Sequence, residues 1–297
     1  MKEQQIDGIS NEILMDIEKR LGDLVSTYTT VITKILPNDT REPPGDLHGT
    51  GSYFEVDGQK YLLTCEHVGK YVEGASLCAT FNGSEIAFSL PNTVSALLYP
   101  ADVAITAITD KTWNLTKHKA QAIPYSLFSE QHLPIHHELM YVAGNPGELS
   151  KIWPAMIVDG VEESGIQHYT TISLMCEIQD YFDPIMMGDT PQPLEDMHFL
   201  LPYTPEFATY MNDDRESPLP RAPGLSGSLV WNTRYREITN SGGIWQPSDA
   251  RVTGIVWGNS TKAGVLVATP VEYIRRLVEI ARKNIAEGKP YWDCRNN

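Results

Sequence analysis

Between residues 49 and 268 the sequence runs as short apolar segments of strand length, separated by Gly, Pro, Asn and Asp, and helical periodicity is confined to the two ends. Thr50–Val56 and Gln59–Thr64 flank Asp57-Gly58, a two-residue signal for a tight hairpin. Further strands are expected around 77–81, 86–89, 94–99, 103–108, 139–143, 152–158, 167–178, 251–258 and 263–268, and after Ser228. Many short strands joined by turns predict an all-β barrel or sandwich.

At the N-terminal end, Leu14, Ile17, Leu21, Leu24, Tyr28, Val31 and Ile35 fall at three-four spacing, which predicts a helix from about residue 10 to the mid-twenties, capped by Ser10 or Asn11. The second half of that stretch, STYTTVITKIL, is rich in β-branched residues and reads equally well as a strand. The helix either packs on its own protein or offers its stripe to a partner or a second copy. Residues 37–47 are polar and Pro-rich, so 1–47 reads as a helix and linker ahead of a body spanning 48–297. A C-terminal helix is expected over about 270–288, with Pro270 in its first turn and Tyr273, Ile274, Leu277, Val278, Ile280 and Ala281 inward, stopped by Gly288 and Pro290. Residues 183–223 hold eight of the 20 prolines and eight acidic residues against two Arg, the texture of a long acidic loop.

Composition removes several function classes. A formal net charge of −15 argues against nucleic acid or an anionic membrane as the main partner. No apolar run has the length of a membrane span, and the start, MKEQQIDGIS, has no apolar signal core. Cys65, Cys78, Cys176 and Cys294 form no paired framework, so reduced thiols and a cytoplasmic location are expected.

Chemistry concentrates in three places. Ser226 lies in Gly224-Leu225-Ser226-Gly227-Ser228, where glycines permit a tight turn and close approach of a carbonyl to backbone N–H groups. Such a turn also occurs in ordinary hairpins. His67 follows a strand end, and Asp102 immediately precedes an apolar strand. The order His, Asp, Ser, the Ser at 228 and the strand that follows all disagree with an α/β-hydrolase elbow. His132, His136, His137 and Glu138 match no zinc signature, and there is no phosphate-binding loop or dinucleotide fingerprint, so neither metal nor cofactor is expected.

Taken together in order, Gly49-Thr50-Gly51-Ser52, Leu62-Leu63-Thr64-Cys65-Glu66-His67-Val68, Asp102-Val103-Ala104-Ile105, Gly144-Asn145-Pro146-Gly147, Gly224–Ser228, Gly254-Ile255-Val256-Trp257-Gly258 and Ala268-Thr269-Pro270-Val271-Glu272-Tyr273 carry a resemblance. The chain resembles the trypsin-like (chymotrypsin-fold) serine peptidases, in their intracellular bacterial branch. The resemblance implies two perpendicular six-stranded antiparallel β-barrels, the first over about 48–120 and the second over about 130–270, with the active site between them. It implies a serine endopeptidase acting on protein or peptide, with His67, Asp102 and Ser226 as the triad and the Gly224 and Ser226 N–H groups as the oxyanion hole. It places Pro220, Val256, Trp257 and Gly258 around the substrate pocket.

The chain departs from that pattern. Leu225 stands where zymogen-activated relatives carry an aspartate, so the oxyanion loop is expected to be either constitutively formed or ordered by substrate or partner. Cys65 lies two residues before His67, which does not support the family's usual disulfide, and Pro220 replaces the acid of relatives that cut after Arg or Lys. Ser228 replaces a commoner glycine. The competing function class is a catalytically silent or partner-activated module on the same fold, serving as a binding or regulatory subunit.

Overall fold

The computed structural model describes residues 8–70, 74–84, 86–90, 95–153, 156–158, 161–163, 166–179, 191–206 and 218–287. Gly288, Pro290, Cys294 and much of the 183–223 stretch therefore lie outside the described residues. The first half supplies β1 (Thr29–Ile35), β2 (Asp46–Val56), β3 (Gln59–Thr64), β4 (Ser76–Thr80), β5 (Ala87–Ser89), β6 (Ser95–Leu97), β7 (Val103–Ile108) and β8 (Ile123–Pro124). They form one sheet in the order β5-β4-β1-β2-β3-β7-β6, with β8 added in parallel on β2. The β2–β3 hairpin turns on Asp57 and Gly58, both at positive φ (51° and 76°), as a two-residue hairpin turn demands.

The stretch that read as helix or strand is strand. β1 pairs antiparallel with β2 on one side and β4 on the other, a setting that favours its β-branched Thr29, Thr30, Val31, Ile32 and Thr33. The expected division at 47/48 therefore gives way to a first sheet that begins at residue 29, and the Pro-rich segment before β2 is a connection within it.

The second sheet comprises β9 (Met140–Gly144), β14 (Ile172–Cys176), β15 (Phe199–Pro202), β16 (Leu229–Asn232), β17 (Arg251–Ser260) and β18 (Val265–Pro270) in the order β14-β9-β16-β17-β18-β15. Just past β14, Gln179 bridges to Leu200 of β15, its N–H donating to the Leu200 carbonyl at 2.9 Å, so the two edges of the sheet meet. Between β9 and β14, β10 (Lys151–Trp153) pairs with β13 (Ile166–His168) and β11 (Met156–Val158) with β12 (Val161–Glu163). β15 corrects the reading of 183–223 as one uninterrupted loop. It has only four residues and ends on Pro202, which hid it. Two antiparallel sheets with few helices make this the all-β, two-barrel class.

Alternation along the second sheet separates two cores. Met140, Val142, Val230, Val256, Leu266 and Ala268 fill its interior. Their neighbours Tyr141, Ala143, Leu229, Trp231, Ile255, Val265 and Val267 face a larger core shared with the first sheet and the terminal helices. α1 (Asn11–Val25), capped by Ser10, lays Leu14, Ile17, Leu21 and Val25 into that larger core. Next to it, Tyr28 stacks on Trp231 at 6.0 Å, Arg20 lies over the Trp245 ring at 5.2 Å, and Ser173 Oγ donates to Glu18 Oε1 at 2.5 Å. The apolar stripe is thus covered by the protein's own second sheet, the first of the two readings given for it. α2 (Glu66–Gly69), α3 (Asp110–Trp113) and α4 (Tyr235–Asn240) are short, and α5 (Val271–Ala286) buries Val271, Ile274, Leu277, Val278 and Ala281. Among the described residues no helix is long and apolar enough to cross a membrane. Cys65, Cys78 and Cys176 are buried free thiols.

Candidate active site

β3 ends at Thr64, Cys65 continues extended, and the single turn of α2 carries His67. Asp102 stands one residue before β7 in the left-handed region (φ 49°), where a short polar side chain is among the few tolerated. Its carboxylate grips His67 twice. The His67 backbone N–H donates to Oδ1 at 2.9 Å, and ring Nδ1 lies 2.6 Å from Oδ2. A carboxylate only accepts, so Nδ1 carries a proton, which in the neutral ring leaves Nε2 with its lone pair. The Asp102 side chain is 8% exposed and that of His67 46%, so the acid is shielded while the imidazole meets solvent.

The segment before Asp102 is held by the second sheet. Thr269 Oγ1 on β18 donates to Ala101 O at 2.7 Å. His198 Nε2 donates to Pro100 O at 2.8 Å, while its Nδ1 accepts the Leu194 N–H at 2.8 Å, so the ring is neutral with its proton on Nε2. Burial lowers the pKa of His198, against the opposing pull of its bond to Pro100 O and of the Asp102 charge. Behind His67, the Cys65 thiol donates to Val256 O at 3.1 Å, and burial, then the charge of Asp102, holds its pKa well above the ordinary thiol range.

Ser226 sits between Gly224 (φ 102°) and Gly227 (φ 93°). A Cβ on Gly224 would run into Asn145 O and Gly147 N, and one on Gly227 would land on Thr50 O, so only glycine fits either place. The turn docks on the first sheet. Thr50 N–H donates to Ser226 O at 2.8 Å, and a Cβ on Gly49 would meet both Val68 and Ser226 O, which puts the Ser226 backbone across Gly49 from the residue after His67. The Ser226 hydroxyl donates to Trp257 O at 3.2 Å, not to the imidazole. Trp257 is the extra residue of a bulge, since Val256 pairs with Ala268 and Gly258 with Val267, and a bulge re-aims the groups of its strand. Along the turn the Leu225 N–H donates to Ala222 O and the Gly227 N–H to Val256 O. The Gly224 and Ser226 N–H groups donate to no other described residue.

The residues expected around a pocket divide. Val256 is 1% exposed, its side chain in the interior of the second sheet, and Trp257 is 5% exposed, against Tyr99 (6.2 Å) and His198 (5.1 Å). Pro220 is buried with its carbonyl accepting from the Tyr203 hydroxyl at 2.5 Å. Gly258 borders open space. Ser228 is fully buried and its hydroxyl lies where a Gly144 Cβ would be, so Gly144 makes room for it. The histidines at 132–137 point to different partners: His132 Nδ1 meets Thr253 Oγ1 at 2.8 Å, and His137 Nδ1 meets Glu177 at 2.6 Å. Sequence reasoning passed over Thr50, Asn145, His198, Thr269 and the Trp257 carbonyl as parts of the site. Only Thr50, Asn145, Thr269 and Trp257 stood inside quoted motifs, and His198 had no local signal.

No protein-family model matches the chain, and no curated protein matches it. Among solved structures it is similar to the Rv3671c protease of M. tuberculosis in its active form, at 16% identity and a TM-score of 0.49, covering 89% of this chain and 84% of that one. A likeness so distant assigns no role to any residue.

Proposed function

We propose that the chain is a serine endopeptidase acting on protein or peptide substrates. The observation that carries this reading is the two-point grip of Asp102 on His67, which orients an imidazole with a free Nε2 beside a serine turn. In this reading Ser226 Oγ leaves the Trp257 carbonyl by rotation about its Cα–Cβ bond and attacks the scissile carbonyl. His67 Nε2 takes the hydroxyl proton, and the resulting oxyanion lies on the Gly224 and Ser226 N–H groups. Collapse breaks the C–N bond, His67 returns the proton to the leaving amine, and water repeats the sequence on the acyl-enzyme. Asp102 keeps the imidazole tautomer throughout and stabilises the imidazolium. No metal or cofactor enters this scheme, and a cytoplasmic location belongs to the same proposal.

The test is covalent labelling of the purified chain by a fluorophosphonate probe. Wild type is expected to label, Ser226→Ala and His67→Ala to remain unlabelled, and Asp102→Asn to label more slowly by about 10⁴-fold. Labelling of Ser226→Ala as fast as wild type would sink the assignment. The competing reading, a catalytically silent binding or regulatory module, draws on the hydroxyl's hydrogen bond to Trp257 O, and a wild type that takes up no probe would favour it.

A further inference from the structure

We infer that Thr50 is a positioning residue for the proposed reaction, and that through it the anion-binding turn is preassembled within the single chain. The inference rests on the peptidase reading of Ser226. All four consecutive carbonyls from Pro223 to Ser226 have a donor. Pro223 O accepts the Gly147 N–H at 2.8 Å, and Leu225 O accepts the Ser228 N–H at 3.0 Å. Thr50 supplies the other two, its hydroxyl to Gly224 O at 2.8 Å and its N–H to Ser226 O at 2.8 Å. The same hydroxyl accepts the Asn145 N–H at 3.0 Å, and Thr64 Oγ1 donates to Thr50 O at 2.8 Å. Thr50 is 0% exposed.

The consequence follows from peptide planarity. In a trans peptide the C=O and the N–H of the next residue point opposite ways, so fixing the carbonyl fixes the N–H. Anchoring Pro223 O and Leu225 O directs the Gly224 and Ser226 N–H groups away from those anchors, and these are the two N–H groups of the turn that have no acceptor among the described residues. Anchoring Gly224 O and Ser226 O on Thr50 prevents the peptides between and after them from turning a carbonyl into the same space. Every donor comes from residues 50, 147 and 228, on the first sheet, the segment after β9 and the turn itself. Each of the four carbonyls thus has its donor within the described residues of this chain. Leu225, which is buried in the interior of the second sheet, fills with packing the place where a charge-paired aspartate would need one.

The full-length chain, with intact mass verified, is treated with the fluorophosphonate across a range of concentrations, which separates the limiting labelling rate from the half-saturating concentration. Thr50→Val keeps the shape of the side chain and removes the hydroxyl. It is expected to lower the limiting rate by about 10²-fold or more, the scale of losing an oxyanion donor, with the half-saturating concentration within about threefold. Thr50→Ser restores the hydroxyl and is expected to recover most of the rate, although it loses the buried methyl. A role in folding alone would make Ser and Val differ in thermal midpoint but not in limiting rate below it. If Thr50→Val does not fold, Thr50→Ala takes its place. Intact wild type that labels while the folded hydroxyl-free variant labels as fast overturns the inference and leaves the peptidase reading standing. Wild type that labels only after its N-terminus is cut overturns preassembly. Wild type that takes up no probe overturns the peptidase reading, and this inference with it.

Discussion

At Glu138 a carboxylate only 2% exposed accepts four hydrogen bonds. Oε1 takes the Leu139 N–H at 2.9 Å, the Arg236 N–H at 3.1 Å and the Thr233 hydroxyl at 3.2 Å, and Oε2 takes the Glu237 N–H at 2.9 Å. The negative charge thus sits on the first turn of α4, where free N–H groups and the helix dipole favour it. Glu138→Gln replaces one acceptor oxygen by an amide that faces donors. It is expected to cost about 2–3 kcal/mol in urea unfolding while leaving fluorophosphonate labelling of the folded fraction intact. In the sequence Glu138 stood beside three histidines, and nothing local revealed its role, because three of its donors lie 95 to 99 residues away. His67, Asp102 and Ser226, the residues of the proposed triad, were legible for the opposite reason. Each sits at a strand end or glycine turn that short-range pattern exposes, whereas the partners that hold those ends, Thr269 and His198, are 168 and 98 residues from the carbonyls they bind.

Single elements show where periodicity suffices and where pairing decides. The stripe of α1 is visible in the sequence because Leu14, Ile17, Leu21 and Val25 answer to one covered face. Leu21, 0% exposed near its centre, is expected to cost about 2–5 kcal/mol on replacement by Ala, read as a lower urea midpoint. A shift below 0.5 kcal/mol would mean that the helix does not depend on this contact. β1 was ambiguous because its apolar residues satisfy helical spacing and its β-branching favours strand. The registers with β2 and β4 settle the matter, and those partners are tens of residues away. β15 was missed because it is short and ends on a proline, Pro202. Its place at the edge of the path is the setting in which Pro202 is tolerated.

The class of the whole molecule was legible because alternation of short apolar runs is a property of the entire chain. The order of strands was not, since neighbours such as β1 and β4 or β15 and β18 are chosen by tertiary contact. Acid stability also belongs to this scale. Burial pushes His132, stacked on Phe199 at 3.8 Å, down to about 4 from an ordinary 6.5, and lowers His198 and His48 in the same direction. Between those values the unfolded chain binds protons that the folded chain refuses. The stabilisation is therefore whole above pH 6.5 and is lost as pH falls from 6.5 toward 4. The thermal midpoint is expected to drop across that window, and His132→Phe, which keeps a ring on Phe199, is expected to flatten the drop. An unchanged slope in the variant would refute the assignment.

The placement of α1 also sets an order on the protein's synthesis. β1 can meet β2 and β4 as soon as the first third of the chain has left the ribosome. α1, made before any of them, rests on β9, β14 and the Trp245–Asp249 turn, and its Arg20 bonds Gln246, 226 residues further on. Its apolar stripe therefore has no second sheet to pack on until β9 and β14 have been made.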